Sequence, residues 1–154
     1  MCVEPFSLVK DIPINELGER LKLNGIGCYS NKAKAIHDVT NSDFDLKSCT
    51  ASDLTSIWGI GPKTARCFIL HSRKDAECAG LDVHILAFLN DLGYDKIPKS
   101  TPGSEKRYNE IERIFLDIVK SKNRTCAELD LLIWRVYSQH PNHKKILLKC
   151  FERK

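Results

Sequence analysis

The chain has 154 residues, of which 42% are hydrophobic, 29% charged and 8% aromatic, the composition of one globular domain with enough chain to bury a proper core. Its net charge of +4 arises in residues 78–154, where fourteen Lys/Arg face ten Asp/Glu, against ten and ten in residues 1–77; this suits a phosphate-bearing partner without requiring one. No run is apolar and long enough to span a membrane and none at the N-terminus resembles a signal peptide, so a membrane-bound class is excluded and a soluble, intracellular protein is expected.

The segments read as helices throughout, with no alternating strand pattern. After a short irregular start, "PINELGERLKLNG" places Ile14, Leu17, Leu21 and Leu23 near helical spacing and stops at Asn24-Gly25. A short helix "YSNKAKAIHDV" and a polar connection "SDFDLKSC" follow. "TASDLTSIW" opens with Thr50 and Asp53 in capping-box spacing, Asp being a weaker partner than Glu, and ends at Gly59. Pro62 suits the first turn of the next helix, "PKTARCFILHS", which is expected to carry Ala65, Phe68 and Ile69 on one face. "DVHILAFLNDL" is a helix with Asp82 at its N-cap and Gly93 just past its end. A loop rich in Lys, Pro and Gly precedes a long helix, "SEKRYNEIERIFLDIVKSK". "TCAE" supplies a second capping box for "ELDLLIWRVYSQ", and the basic tail "HKKILLKCFERK" predicts a last short helix. The expectation is one all-α domain over residues 1–154, with no internal repeat or linker.

The seven cysteines (2, 28, 49, 67, 78, 126 and 150) include no C-x-x-C and no tight cluster of the iron–sulfur type, so they read as reduced, mostly buried small hydrophobes. His140 and His143 have metal-ligand spacing, but Pro141 lies between them and no partner pair exists, so no metal or other cofactor is expected. Trp58 and Trp134 are expected in the core.

Two helices joined by Gly59-Ile60-Gly61, the second begun by Pro62-Lys63, form a helix-hairpin-helix over about residues 51–72. The glycines permit a sharp turn and close approach to a ligand, and the start of the second helix offers unpaired N–H groups and the positive end of its dipole to a phosphate. Such a contact grips DNA without reading sequence. A plain αα-hairpin uses the same punctuation, so binding is not dictated by the turn alone. A nucleotide-binding P-loop is excluded, because Pro62 separates Gly61 from Lys63 and no strand precedes the turn. The dinucleotide pattern fails because Thr64 stands where its third glycine should be.

Lys63 and Asp82, 19 positions apart, raise the reading from binding to catalysis. A lysine partly desolvated at a helix start can become a neutral amine nucleophile, and a carboxylate fixed at an N-cap can stabilise a cationic sugar. Taken singly, each has a plainer alternative as a solvated side chain or a simple cap.

"LTSIWGIGPKTARCFIL…GLDVHIL" closely resembles the signature of the helix-hairpin-helix, Gly/Pro-Asp superfamily of DNA base-excision glycosylases. The spacing, the "DVH" ending and the missing iron–sulfur cysteines look more like its 8-oxoguanine glycosylase/AP lyase branch. Upstream "GIGCYSNKAKAI" and downstream "ELDLLIW" extend the similarity over roughly residues 23–137. The resemblance implies a helical glycosylase domain in which Lys63 is the catalytic lysine and Asp82 the catalytic aspartate. It implies a bifunctional enzyme that removes an oxidised purine through a lysine Schiff base and breaks the strand by β-elimination. The partner implied is double-stranded DNA containing a damaged base, met by a monomer in cytoplasm, nucleoid or nucleus.

The DNA-binding residues expected are Gly59, Ile60 and Gly61, with Lys32, Lys34, Lys96 and Lys99 adding sequence-independent attraction. His84 is a candidate to hold the site or approach a phosphate, against a purely structural hydrogen bond. Only about twenty residues precede "NGIGCY", where family members carry a longer segment, so the domain is expected to be N-terminally short, as a minimal form or an incomplete copy. Activity on oxidised pyrimidines or abasic sites, a non-catalytic DNA-binding module, and a hairpin used for protein contacts are the alternatives.

Overall fold

The structure is a computed structural model that describes residues 6–151. Among these residues every regular element is helical: α1 (Ser7–Lys10), α2 (Ile14–Leu23), α3 (Tyr29–Thr40), α4 (Ala51–Thr55), α5 (Pro62–Ser72), α6 (Val83–Asp91), α7 (Glu105–Ser121), α8 (Cys126–Ser138), a 3-10 turn (Pro141–His143) and α9 (Lys144–Lys149). The chain divides into two compact units, Met1–Gly61 and Pro62–Lys154, and the division falls inside the expected hairpin, between its turn and its second helix. Cys2 and residues 152–154 lie outside the described residues.

In the first unit α2 packs on α3, where Leu17 and Ala33 are buried and Gly18 faces Ala33 closely enough that an added Cβ would sit 3.8 Å away. α2 ends as expected at Asn24-Gly25, Gly25 taking a φ of +73°. α1 is an additional turn in the segment expected to be irregular. α4 is shorter than its sequence suggests, but its capping box is complete. The Asp53 N–H donates to Thr50 Oγ1 at 3.1 Å and the Thr50 N–H donates to Asp53 Oδ2 at 2.7 Å. The aspartate serves as well here as the glutamate of the second box, Thr125 and Glu128, at the start of α8.

The second unit holds a continuous apolar cluster built from α6, α7 and α8, with Leu70 of α5 and Leu147 and Phe151 at the C-terminal end. α8 buries Leu129, Ile133, Val136 and Tyr137, a stripe at i, i+4, i+7 and i+8. Phe88 is the hub, meeting Tyr137 and Phe151 edge-on with ring centroids 6.2 and 5.3 Å apart.

Three expectations are corrected. Trp58 and Trp134 are 54% and 45% exposed, because neither falls on the buried stripe of its segment. α5 buries Ala65, Arg66 and Leu70, while Phe68 lies at the surface. Of the six described cysteines only Cys49 and Cys126 are buried; Cys67 and Cys78 are half-buried, and Cys28 and Cys150 are exposed.

The burial of Arg66 organises the second unit. Its Nε donates to both oxygens of Glu112 at 3.1 Å, its Nη2 donates to Glu105 at 2.6 Å and to Asn109 at 2.8 Å, and the guanidinium lies 4.4 Å from the Tyr108 ring centroid. Burial alone would lower the Arg66 pKa, but Glu105 and Glu112 outweigh it and raise the value above that of an ordinary guanidinium. Removing Glu112 leaves the buried guanidinium with only the more exposed Glu105 as a counter-charge. Glu112→Gln is therefore expected to destabilise the protein by about 1.5 to 3 kcal/mol, seen as a lower midpoint of urea unfolding. An unchanged midpoint would mean that the pair does not brace α5 against α7.

Candidate active site

Lys63 is the second residue of α5 and Asp82 the N-cap of α6, so both belong to the second unit. The segment that delivers Asp82, residues 79–81, is fastened at every step. The Ala79 N–H donates to Glu112 Oε1 at 2.8 Å, and the Tyr108 hydroxyl donates to the Ala79 carbonyl at 2.7 Å. The same hydroxyl accepts from the Leu81 N–H at 2.9 Å, and Thr101 Oγ1 donates to the Leu81 carbonyl at 2.8 Å. Burial raises the Tyr108 pKa, so the phenol stays protonated and able to donate.

Between the tethered residues, Gly80 is buried against α5. A Cβ added at Gly80 would fall 2.2 Å from Cys67 Sγ, so the sulfur would have to move aside to admit it. Cys67 is one turn beyond Lys63, so the missing Cβ brings the Asp82 segment onto the helix that bears the lysine.

At the N-cap, Asp82 Oδ1 accepts from the N–H groups of both His84 and Ile85, each at 2.9 Å. Oδ1 is thereby held by the helix start. Lys63 is exposed and forms no ion pair among the described residues, so the partial desolvation expected of it is not provided by its own unit. Lys63 and Asp82 act on shared neighbours. Burial raises the Cys67 thiol pKa, Asp130 and Asp82 raise it further, and Lys63 lowers it. Burial also raises the Asp130 carboxyl, with His71 and Lys63 opposing and Asp82 reinforcing.

His84 is half-buried on the first turn of α6, and its ring makes no hydrogen bond among the described residues, contrary to a structural tether. Gly59 carries the turn of the hairpin with a φ of +88°, and its Cβ position would stand 3.6 Å from the Asn31 carbonyl oxygen. Ile60 donates its N–H to the Ile57 carbonyl at 3.1 Å. Gly61 borders open space, and an added Cβ there would meet nothing within 4 Å.

The first turn of α5 carries no acidic side chain. Lys32 is exposed; Lys34 is engaged by Asp38 at 2.5 Å and lies 5.8 Å from the Trp58 ring centroid. Lys96 and Lys99 are exposed in the second unit.

Sequence reasoning missed four participants: Cys67 and Gly80, which fit together, and His71 and Asp130, whose Nε2 and Oδ2 are 3.1 Å apart. Cys67 and His71 stand four and eight residues after Lys63, a spacing that could have signalled a shared helix side. Asp130 is a lone acid in an apolar helical run, and nothing local marks its partner. No group of three metal-binding side chains is found among the described residues.

No protein-family model matches the chain. A curated relative, the 8-oxoguanine DNA glycosylase/AP lyase of Methanocaldococcus jannaschii, is 36% identical over 133 residues, covering 80% of this chain and 63% of the relative. The crystal structure of 8-oxoguanine DNA glycosylase from that organism superposes with a TM-score of 0.68 at 32% identity, over 84% of this chain and 64% of that one. The fold is that of this helical glycosylase. The chain spans somewhat under two thirds of the length of the proteins it matches. No helix among the described residues is long and apolar enough to cross a membrane.

The fit of Gly80 to Cys67 yields a direct test. Gly80→Ala is expected to cost roughly 1 to 3 kcal/mol of stability, and Cys67→Ala in the same chain should recover much of that loss by vacating the sulfur position. Additive losses in denaturant titrations would show that the two positions are not in contact.

Proposed function

We propose that the chain is a base-excision DNA glycosylase with AP lyase activity, acting on 8-oxoguanine in double-stranded DNA. The observation that carries the reading is the pairing of Lys63 and Asp82 on one braced unit, with the aspartate segment seated on the lysine helix through Gly80 and Cys67. The relationship to the Methanocaldococcus jannaschii glycosylase/AP lyase supports it. In this proposal the two units, Met1–Gly61 and Pro62–Lys154, act together as one functional domain.

In the chemistry proposed, the damaged nucleotide is flipped out of the duplex, at a cost smallest for a lesion. Neutral Lys63 Nζ forms a bond to C1′ as the bond from C1′ to the base breaks, its electron pair leaving with the base. Asp82, oriented by its two N–H contacts, stabilises the positive charge that develops on the sugar. Closure onto DNA supplies the desolvation that exposed Lys63 lacks in the free protein. Ring opening gives a Schiff base, which acidifies the 2′ proton and permits β-elimination of the 3′ phosphate. The start of α5, which has no acidic side chain in its first turn, is the phosphate grip. Exposed Lys32, Lys96 and Lys99 add salt-dependent attraction, more than Lys34, whose charge Asp38 already engages.

Borohydride trapping on end-labelled duplexes tests this reading. Wild type is expected to give a covalent adduct with 8-oxoguanine opposite cytosine, Lys63→Gln to give none, and Asp82→Asn to lose base removal by roughly 10²-fold or more. An adduct on an abasic duplex alone would reduce the function to a lyase. Duplex binding without any adduct would replace the enzyme with a binding module. Independently, Lys32→Ala should weaken duplex binding equally on damaged and undamaged DNA and reduce the salt slope by about one; an unchanged slope would remove Lys32 from the interface.

A further inference from the structure

Asp82 is reached through three successive peptide planes, and a side-chain hydroxyl holds each of them. The Ala79–Gly80 plane is held at the Ala79 carbonyl, which accepts from the Tyr108 hydroxyl at 2.7 Å. The Gly80–Leu81 plane is held at the Leu81 N–H, which donates to the same phenol oxygen at 2.9 Å. The Leu81–Asp82 plane is held at the Leu81 carbonyl, which accepts from Thr101 Oγ1 at 2.8 Å. One phenol thus clasps both sides of Gly80, the residue that seats the segment on Cys67 of α5. Tyr108 is itself immobilised. It is fully buried, and the Arg66 guanidinium lies 4.4 Å from its ring centroid. Its hydroxyl both donates and accepts, so neither of its hydrogen-bonding roles is left over for another group.

The bonds that Asp82 makes for itself, from the His84 and Ile85 N–H groups to Oδ1, orient the carboxylate with respect to α6. The clasp does something different, because it fixes the approach of the segment to α5, the helix that bears Lys63. Stabilising a sugar cation depends on where the negative charge stands, and a misplacement of about 1 Å can cost up to roughly 10²-fold in rate. We propose that Tyr108 and Thr101 are positioning residues for base removal: their hydroxyls hold the three planes that place Asp82 beside the sugar as the base departs. This rests on the glycosylase/lyase reading above. Cleavage at a site already lacking its base starts from an aldehyde. There the Lys63 amine condenses with the carbonyl carbon and releases water, and no departing base calls for the Asp82 charge. The hydroxyls therefore serve the first reaction and not the second.

The test is a double-mutant cycle on base removal, read in single turnover with the full chain on a duplex carrying 8-oxoguanine opposite cytosine. Tyr108→Phe removes only the phenol oxygen. It is expected to slow base removal by roughly tenfold and to leave cleavage of an abasic-site duplex within about twofold of wild type. In an Asp82→Asn background, which keeps an N-cap acceptor but lacks the charge, the same substitution should cost less than about twofold. Tyr137→Phe is the control, because it deletes a hydroxyl bonded to Asp91 at 2.8 Å in the same apolar cluster without touching residues 79–81. It should leave both rates unchanged. Undiminished base removal by Tyr108→Phe, equal slowing of the two reactions, or a loss that persists beside Asp82→Asn would each overturn the proposal, as would an equal loss in Tyr137→Phe. Should thermal unfolding show that Tyr108→Phe does not fold, Thr101→Val decides. It frees the last plane before Asp82 and should slow base removal at least roughly threefold with abasic-site cleavage unchanged; wild-type base removal would overturn the proposal. A wild-type protein that releases no base would instead overturn the glycosylase reading, and this inference with it.

Discussion

The buried guanidinium of Arg66 is the constraint on which the second unit depends. A charge taken out of water must be met by carboxylates, and here they come from α7, as Glu105 and Glu112. That demand fixes α5 against α7. Glu112 then uses the same oxygen to hold the Ala79 N–H, and Tyr108, whose ring the guanidinium covers, holds Ala79 and Leu81 with its hydroxyl. Neighbouring residues of α5 thus divide the work. Ala65 and Arg66 anchor the helix, and Cys67 receives the backbone of Gly80. Asp82 inherits its position from this set of contacts. A network of buried polar groups costs stability whenever one member is missing, but when satisfied it specifies one arrangement of the backbone.

A candidate site built this way has an uneven character. Asp82 is rigid, tied by its own helix and by the segment before it, while Lys63 stands in solvent. The asymmetry suits a reaction in which the carboxylate must hold a fixed negative charge and the lysine must approach a sugar carbon supplied from outside. The apolar cluster is concentrated on α6, α7 and α8, and Asp82 stands at the start of the first of these.

Much of this was legible in the sequence where the grammar is local. Helix starts carry their own signals, so Thr50 with Asp53, Thr125 with Glu128, Pro62, and Asp82 before an apolar run all read correctly. The signature around Gly59 to His84 pointed to the fold that the glycosylase shares. Long-range terms were illegible. Nothing local marks Arg66 as buried, because Glu105 and Glu112 lie 39 and 46 positions away, and the face of α5 expected to carry Ala65, Phe68 and Ile69 leaves Phe68 at the surface. Asp130 was equally silent, its partner His71 being 59 positions distant. Trp134 was expected in the core, but the buried stripe of α8 passes through Ile133 and Tyr137 and leaves the indole outside.

The central claim is that the amine of Lys63 is the group that bonds to the sugar. Peptide mapping by mass spectrometry of the borohydride-reduced complex with an abasic-site duplex tests it most directly, because it locates the bond rather than inferring it from loss of activity. The account predicts the sugar remnant on the peptide containing Lys63 and on no other. A remnant on another lysine, or on the N-terminal amine, would contradict it.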